Sequence, residues 1–355
     1  MPERISATVC TFNAEHDLRD CLRSLQNQRD FEFDEILVID NASTDGTRAL
    51  VEREFPGVRL IALERNDGPC VARNAGLSEA RNRYVFQVDS DVVVAQDCLV
   101  LLSAEIRRAD DLAVVFPRGL VAGEPGVVHY DGGWHHYAGV MALRHFYLPV
   151  AECAAEAEDV DAFVSLAALL DRDLVLRIGG YDPAYFILFE DADLSYRLRV
   201  CGYRIRSVPA ALVDHRSGTK GISFRGGLAY PARRLFLHSR NRWMLILKCY
   251  RARTLILSLP GVLLLGLAYV VFAWRQGALL EYLRAKRSLI ALMPRIRDER
   301  RKLKRLRRLA DRELLGAPEL TFSPKIERGR SGSLPERCLS GILRSYWRLI
   351  RPFTG

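Results

Sequence analysis

The chain has 355 residues, 49% of them hydrophobic and 27% charged, a balance that excludes a disordered, collagen-like or coiled-coil protein. Lys and Arg total 52 against 43 Asp and Glu, a net charge of +9, yet 14 of the basic and only 4 of the acidic residues fall between Arg275 and Arg312. The remainder is close to neutral, which excludes a nucleic-acid binder with a positive surface throughout.

Ile5–Thr11 reads as a short apolar strand leading into Phe12-Asn13. Leu18, Cys21, Leu22 and Leu25 recur at i, i+3, i+4 and i+7, which predicts an amphipathic helix over 15–28. Glu35–Asp40 (EILVID) has a buried-strand pattern, followed by the polar turn Asn41–Gly46 and a helix from about Thr47 to Phe55. Val58–Leu63 is a further strand, Gly68–Ala80 a helix, and Tyr84–Val88 a strand that ends at Asp89-Ser90-Asp91. Strands alternating with helices at this spacing predict an α/β domain with a parallel sheet.

Residues 118–140 hold six Gly together with Trp134, His135, His136 and Tyr137, and are expected to form a mobile loop near a ligand. Residues 163–180 are largely apolar and close on Gly179-Gly180-Tyr181. The acidic run Phe189–Leu194 enters a helix expected to stop at Gly202. Tyr203–Val208 reads as a strand, and Val213-Asp214-His215 as the start of a polar loop through Gly227.

Residues 254–274 carry no charge and, as a helix, would measure ~31 Å, the thickness of a bilayer's hydrocarbon core. Both flanks are basic, so a crossing would export the cationic tract against the positive-inside rule. A re-entrant or in-plane segment with both flanks cytosolic is therefore expected. Residues 279–310 read as a basic amphipathic helix suited to an anionic membrane surface, and 313–335 as a loosely ordered linker. Leu339, Ile342, Leu343, Tyr346, Trp347 and Ile350 share a helical face that either lies on a membrane or packs on the protein. The expected organisation is a catalytic domain over 1–245, a membrane-associated helical region over 246–312, and the linker with a terminal helix over 313–355.

The eight cysteines form no CxxC pair, so neither a zinc ribbon nor a thioredoxin-type site is readable. The N-terminus lacks the basic-then-apolar form of a signal peptide, and a reducing cytosol is the expected compartment.

Parallel sheets bind ligands at the carboxyl ends of their strands. Those ends here carry Thr11-Phe12-Asn13, Asp40-Asn41 and Asp89-Ser90-Asp91. Asp and Asn also terminate strands and cap helices, but three loaded ends together mark a site. No GxGxxG follows a strand in the first half, and no GxxxxGK[ST] occurs there, so neither a Rossmann dinucleotide site nor a P-loop is supported. Asp89 and Asp91 would face the same side if the strand continued through them, and such a pair attracts a hard divalent cation, Mg²⁺ or Mn²⁺. Glu190, Asp191 and Asp193 place three acids within four residues, which a cation, an Arg or a helix N-terminus must offset; capping is the plain alternative for Asp193.

Taken together these pieces resemble the inverting glycosyltransferases of family 2, which have the GT-A (nucleotide-diphospho-sugar transferase) fold, α/β with a mostly parallel central sheet. The matching pieces are Val9–Asn13, Val38–Thr47, Asn66 and Gly68 with Ala72-Arg73-Asn74 and Gly76, Asp89-Ser90-Asp91, Gly179–Asp182, Glu190-Asp191 with Asp193-Leu194 and Arg197, and His215. They follow the family's order over residues 5–250.

The resemblance implies roles for these residues. Asp40 would accept the N3–H of uracil or thymine, so it does not separate UDP from dTDP donors. Thr11 and Asn13 would surround the nucleotide, Arg73 would lie near the nucleotide or its diphosphate, and Asp89 near the ribose. Asp91 and His215 would hold the metal. Asp191 would be the base that takes the acceptor's proton, with Glu190 positioning the acceptor or holding the loop. Processive polysaccharide synthases of the family carry QxxRW; this chain has Ser239-Arg240-Asn241-Arg242-Trp243, which favours transfer of one or a few sugars.

The function so implied is metal-dependent inverting transfer to a lipid-linked or cell-envelope saccharide at the cytoplasmic face of the membrane. A one-domain form with a hydrophobic tail looks like the rhamnosyltransferase-like, surface-polysaccharide branch. Two other classes are weighed. A sugar-nucleotide nucleotidyltransferase needs a Gly- and Lys-rich loop, and residues 5–20 contain neither residue. A non-catalytic membrane scaffold is disfavoured by intact Asp89, Asp91, Asp191 and His215.

Overall fold

The computed structural model describes residues 4–121, 123–124, 126–216, 218, 222, 230–321 and 334–355. The chain divides into two compact units. The first comprises Met1–Gly132, Arg144–Leu194 and Tyr203–Ser217; the second comprises Gly133–Leu143, Ser195–Gly202 and Gly218–Gly355.

In the first unit β1 (Ile5–Thr11), α1 (Leu18–Gln26), β2 (Glu35–Asp40), α2 (Thr47–Glu54), β3 (Arg59–Ala62), α3 (Pro69–Glu79) and β4 (Tyr84–Asp89) follow the predicted alternation. The apolar side of α1, Leu18, Cys21, Leu22 and Leu25, is buried in one core with Val9, Val38 and Phe86. β5 (Val92–Val94), α4 (Cys98–Ile106), β6 (Leu112–Val121) and β7 (Val128–Tyr130) come next.

β8 (Gly133–His136) and β9 (Val140–Leu143) pair antiparallel in the second unit. β10 (Glu158–Val160), β11 (Ala167–Asp171), α5 (Arg172–Arg177), α6 (Glu190–Val200) and β12 (Arg204–His215) follow. The main sheet runs in the order β10-β12-β6-β11-β4-β1-β2-β3, with β5 beside β12 and β7 beside β6. β3, β2, β1 and β4 are mutually parallel, and β11 enters antiparallel between β4 and β6. The register sets Thr11 opposite Asp40 and Cys10 opposite Asp89, so the three polar strand ends finish at one level.

Two sequence expectations fail here. The loop expected over 118–140 is largely strand among its described residues, because β6, β7 and β8 cross it. His135, His136 and Tyr137 are buried; Tyr137 stacks on Trp347 at 4.9 Å and donates to the Leu343 carbonyl. Burial pushes the His136 imidazole down to about 3, so it is a neutral core side chain. The polar loop expected from Val213 starts later, since β12 stays paired through His215 with β5 and β6. The rest of that loop, to Gly227, lies largely outside the described residues.

The second unit is mainly helical. It contains α7 (Ala232–Cys249), α8 (Ala252–Arg275), α9 (Leu279–Leu306), α10 (Asp311–Leu314), β13 (Leu315–Gly316) and α11 (Leu334–Ile350). α8 passes through Pro260 without a break, so a re-entrant turn within 254–274 is not what forms. β13 pairs with β8, placing Leu315 opposite His135 within the stretch expected to be linker. The remainder of that stretch lies mostly outside the described residues.

Candidate active site

The loops after β1 and β2 are stitched together by side chain–backbone hydrogen bonds. Asn13, held in the left-handed region at φ 49°, donates its backbone N–H to Ser43 Oγ and accepts the Thr44 N–H on its side-chain oxygen, both at 2.8 Å. Thr11 accepts the Asn41 N–H on its carbonyl at 2.9 Å, and its own buried hydroxyl has no partner. Asp40 is wholly buried; it accepts from the Ser43 N–H and, at 2.5 Å, from Arg48 Nε. Arg48 was not singled out from the sequence. Its only signal there is a cation eight residues beyond Asp40, which is too common a pattern to notice.

α3 organises the other side of the site. Arg73 is buried and donates to Asp89 at 2.8 Å and to Glu190 at 3.0 Å. Its neighbour Asn74 donates to the Tyr181 carbonyl at 2.7 Å and accepts the Tyr181 N–H at 2.8 Å. Gly68, at φ 91°, precedes the helix; a Cβ there would stand 2.7 Å from the Phe186 ring. The short run Gly68–Asn74 therefore fixes the distant segment 181–190. Two motif pieces separated by about a hundred residues are one structural object.

That segment is strained. Phe186, Leu188 and Phe189 all take positive φ (64°, 71° and 71°), conformations that ordinary side chains rarely adopt and that persist only when neighbours enforce them. Glu190 and Asp191 follow at once as the first residues of α6. Glu190 is buried, with one carboxylate oxygen on Arg73 and the other without a partner. Burial, with the neighbouring Asp191 charge, pushes Glu190 up to about 7 against the pull of Arg73. Burial likewise raises Asp191, which keeps only partial access to solvent and accepts the Ala192 N–H at 2.8 Å. Asp193 is buried and accepts from the Tyr185 hydroxyl at 3.1 Å.

Asp89 and Asp91 make their shortest ion pairs with different residues. β4 ends at Asp89 and the chain turns, so strand alternation does not reach Asp91. Asp89 goes to Arg73, whereas Asp91 Oδ2 lies 3.2 Å from His215 Nε2 at the end of β12. Burial raises Asp89 despite that Arg. Among the described residues no group of three or more metal-type side chains gathers. The Asp91–His215 spacing nevertheless suits two adjacent ligands of one octahedral ion, which at ~2.1 Å bond lengths sit ~3 Å apart. One carboxylate and one imidazole leave most positions to water and substrate oxygens. The structure thus gathers Arg73, Asp89 and Glu190 in direct contact, pairs Asp91 with His215, and keeps Thr11, Asn13 and Asp40 together at the adjoining strand ends.

Comparison with known proteins gives two family matches: "Glycosyl transferase family 2" over residues 6–150 and "Glycosyl transferase family group 2" over residues 84–296. The succinoglycan biosynthesis protein ExoO of Rhizobium meliloti is 49% identical over 77 residues, 21% of each chain. The pre-mycofactocin glycosyltransferase of Mycobacterium tuberculosis is 29% identical over 243 residues, covering 64% of this chain and 47% of that protein. The poly-beta-1,6-N-acetyl-D-glucosamine synthase of Staphylococcus aureus is 23% identical over 216 residues, covering 59% and 49%. The chain spans less than half the length of each of these curated relatives.

Among solved structures, GalNAc-T7 with UDP, GalNAc and Mn²⁺ superimposes with a TM-score of 0.58 at 18% identity, over 73% of this chain and 51% of that one. S. aureus TarS 1-349 in complex with UDP gives a TM-score of 0.51 at 19% identity, over 85% and 88%. At such identities the likeness is one of fold, here the GT-A-like α/β arrangement.

Proposed function

Because the chain belongs to the family 2 glycosyltransferases, we propose that it moves a sugar from a nucleoside-diphosphate donor to a hydroxyl of a lipid-linked or cell-envelope saccharide, with inversion at the anomeric carbon. The observation that supports this reading is the contact of Arg73 with both Asp89 and Glu190, which ties a strand end of the sheet to the residue directly before Asp191.

In the mechanism proposed, the donor base sits over the ends of β1 and β2. Asp40 accepts the base N3–H once Arg48 shifts or shares it, and the free Thr11 hydroxyl and the Asn13 loop line the nucleoside. Both UDP and dTDP satisfy that donor–acceptor pattern. UDP is favoured by analogy with the UDP-bound GalNAc-T7 and TarS structures.

The two Nη groups of Arg73 hold Glu190 and Asp89 while its buried Nε has no partner, and its role in this reading is to position those two carboxylates. Asp89 faces the ribose side. Asp91 and His215 would hold Mg²⁺ or Mn²⁺, which when bound neutralises charge on the diphosphate leaving group. Asp191 takes the acceptor proton as the new bond forms. Its partly accessible carboxylate can meet an acceptor hydroxyl, and its raised pKa makes it a stronger base than an ordinary Asp. Glu190, buried behind it, holds the loop in place.

Location at the cytoplasmic face of a membrane is part of the proposal, supported by the apolar α8 and by relatives that take part in polysaccharide synthesis. A screen of sugar nucleotides for release of UDP or dTDP with Mn²⁺ or Mg²⁺ tests the reaction. Release from at least one donor is expected. A protein that neither releases nor binds any nucleoside diphosphate would contradict the reading.

A further inference from the structure

The helical unit wears its apolar side chains outward. On α8 the buried positions are mostly small or polar, Thr254, Ser258, Gly261, Gly266 and Ala273, with Val262 and Leu265 the two large apolar ones. Its exposed positions are Ile256, Leu259, Leu263, Leu267, Val271 and Trp274, spaced three or four apart as a single stripe. A helix on a water-soluble surface is arranged the other way round. α9 adds exposed Leu280, Leu283 and Ile290, and α11 adds Ile342 and Leu349. An apolar groove of about 370 Å³ joins α8 to α11, lined by Leu267, Val271 and Leu339 among others.

The charge around this face is predominantly positive. Residues 232–275 contain eight Lys or Arg and no Asp or Glu, and α9 carries ten Lys or Arg against three acids. α11 carries Arg337, Arg344 and Arg348 against the single acid Glu336. A second copy of the same face would be repelled by these cations, whereas the phosphates of an anionic leaflet would be attracted.

We propose that α8, together with the apolar sides of α9 and α11, beds lengthwise into one leaflet of an anionic bilayer and does not cross it. Length alone would permit a crossing, since 24 residues measure ~36 Å. The packing of the inner face argues for the in-plane arrangement. Arg242, fully buried on α7, donates through Nη2 to the Val262 carbonyl at 2.8 Å, near the middle of α8. Tyr346 of α11 donates to the Leu257 carbonyl, also at 2.8 Å. A crossing helix would carry that guanidinium, and α7 with it, to the centre of the bilayer, where a cation is costly. Lying flat, the unit keeps α7 on the aqueous side and offers only the apolar stripe to lipid. The inference rests on the membrane association proposed above and is independent of sugar transfer.

The test uses the full chain and sedimentation with phosphatidylcholine vesicles, with and without phosphatidylglycerol. Binding is expected only with the anionic lipid and should weaken at least tenfold in a Leu263→Glu/Leu267→Glu variant. Both positions are exposed, so the fold should survive, which circular dichroism would verify. In a Cys10→Ala/Cys153→Ser/Cys338→Ser background, which removes every cysteine that is not buried, cysteines placed by Ala252→Cys and Gln276→Cys should both react with an impermeant maleimide from the side of addition. Reaction of one end only, with the other reached after detergent, would mean a crossing and overturn the proposal. Absence of vesicle binding, or undiminished binding by the Glu variant, would also overturn it. Vesicle binding by a protein that binds no nucleotide would instead count against the transfer reading alone.

Discussion

Arg73 and Glu190 lie 117 residues apart in the chain and 3.0 Å apart in space, both nearly sealed from solvent. The same guanidinium holds Asp89, so one buried cation serves two carboxylates from different parts of the fold. Removing one member of a buried pair strands the other's charge. Arg73→Gln is therefore expected to cost about 3 kcal/mol of unfolding free energy or more, measured by urea denaturation. In a Glu190→Gln background the same change should cost less by about 1 kcal/mol or more. Strictly additive losses would mean the two side chains do not act as a unit.

The acidic pair makes stability and activity move in opposite directions with pH. Burial and the Asp191 charge raise Glu190 from 4.5 to about 7, so across that window the native state holds a proton the unfolded chain has lost. Stability is then full below the unfolded value and falls as pH rises through the folded one. The slope from this group approaches about 1.4 kcal/mol per pH unit inside the window. Glu190→Gln should flatten the stability–pH curve there, read from urea midpoints at successive pH values. Transfer should gain rate as pH rises past the raised point at which Asp191 loses its proton, the two acids titrating as a coupled pair. A rate with no acid limb at any pH where the fold stays intact would argue against a carboxylate base.

In the proposed reading His215 and Asp91, 3.2 Å apart, would offer the cation one nitrogen and one oxygen. With so few protein ligands each should matter. His215→Ala is expected to weaken Mn²⁺ binding in the presence of UDP by about tenfold or more, by calorimetry or electron paramagnetic resonance. An unchanged affinity would place the metal elsewhere or make it dispensable.

Gly68 gives the strained base segment room. A side chain at φ 91° is itself unfavourable, and its Cβ would strike the Phe186 ring. Gly68→Ala is expected to lower stability by roughly 1–3 kcal/mol and to reduce kcat by shifting Glu190-Asp191. Gly57→Ala, at a position with open space around it, is the control and should change stability by less than about 0.5 kcal/mol. Equal effects from the two would remove Phe186 from the account.

The parts of this protein that sequence revealed are those written in local periodicity or in short polar strand ends. The i, i+3, i+4, i+7 spacing of Leu18, Cys21, Leu22 and Leu25 reports one buried face directly. Asp40 and Asp89 stand out because the parallel register brings their strand ends level. What stayed hidden depends on contacts between distant segments. Nothing local says that Arg73 spends its guanidinium on Asp89 and Glu190, or that Arg48 covers Asp40. Strand alternation says nothing about Asp91, because β4 ends two residues earlier and a turn does not obey it. The glycines of 118–140 suggested a loop, yet Gly119 and Gly133 lie inside strands. The helicity of α8 was legible from its composition, but which of its faces is buried was not.

The most direct test of the catalytic assignment is one comparison between the wild-type chain and Asp191→Asn. Sugar-nucleotide turnover and thermal stabilisation by the nucleoside diphosphate with Mn²⁺ are measured on both proteins. Turnover is expected to fall by about 10²–10⁴ in the variant, while the stabilisation stays the same. Turnover within a few-fold of wild type, with the nucleotide bound equally well, would show that the proton goes to some other group.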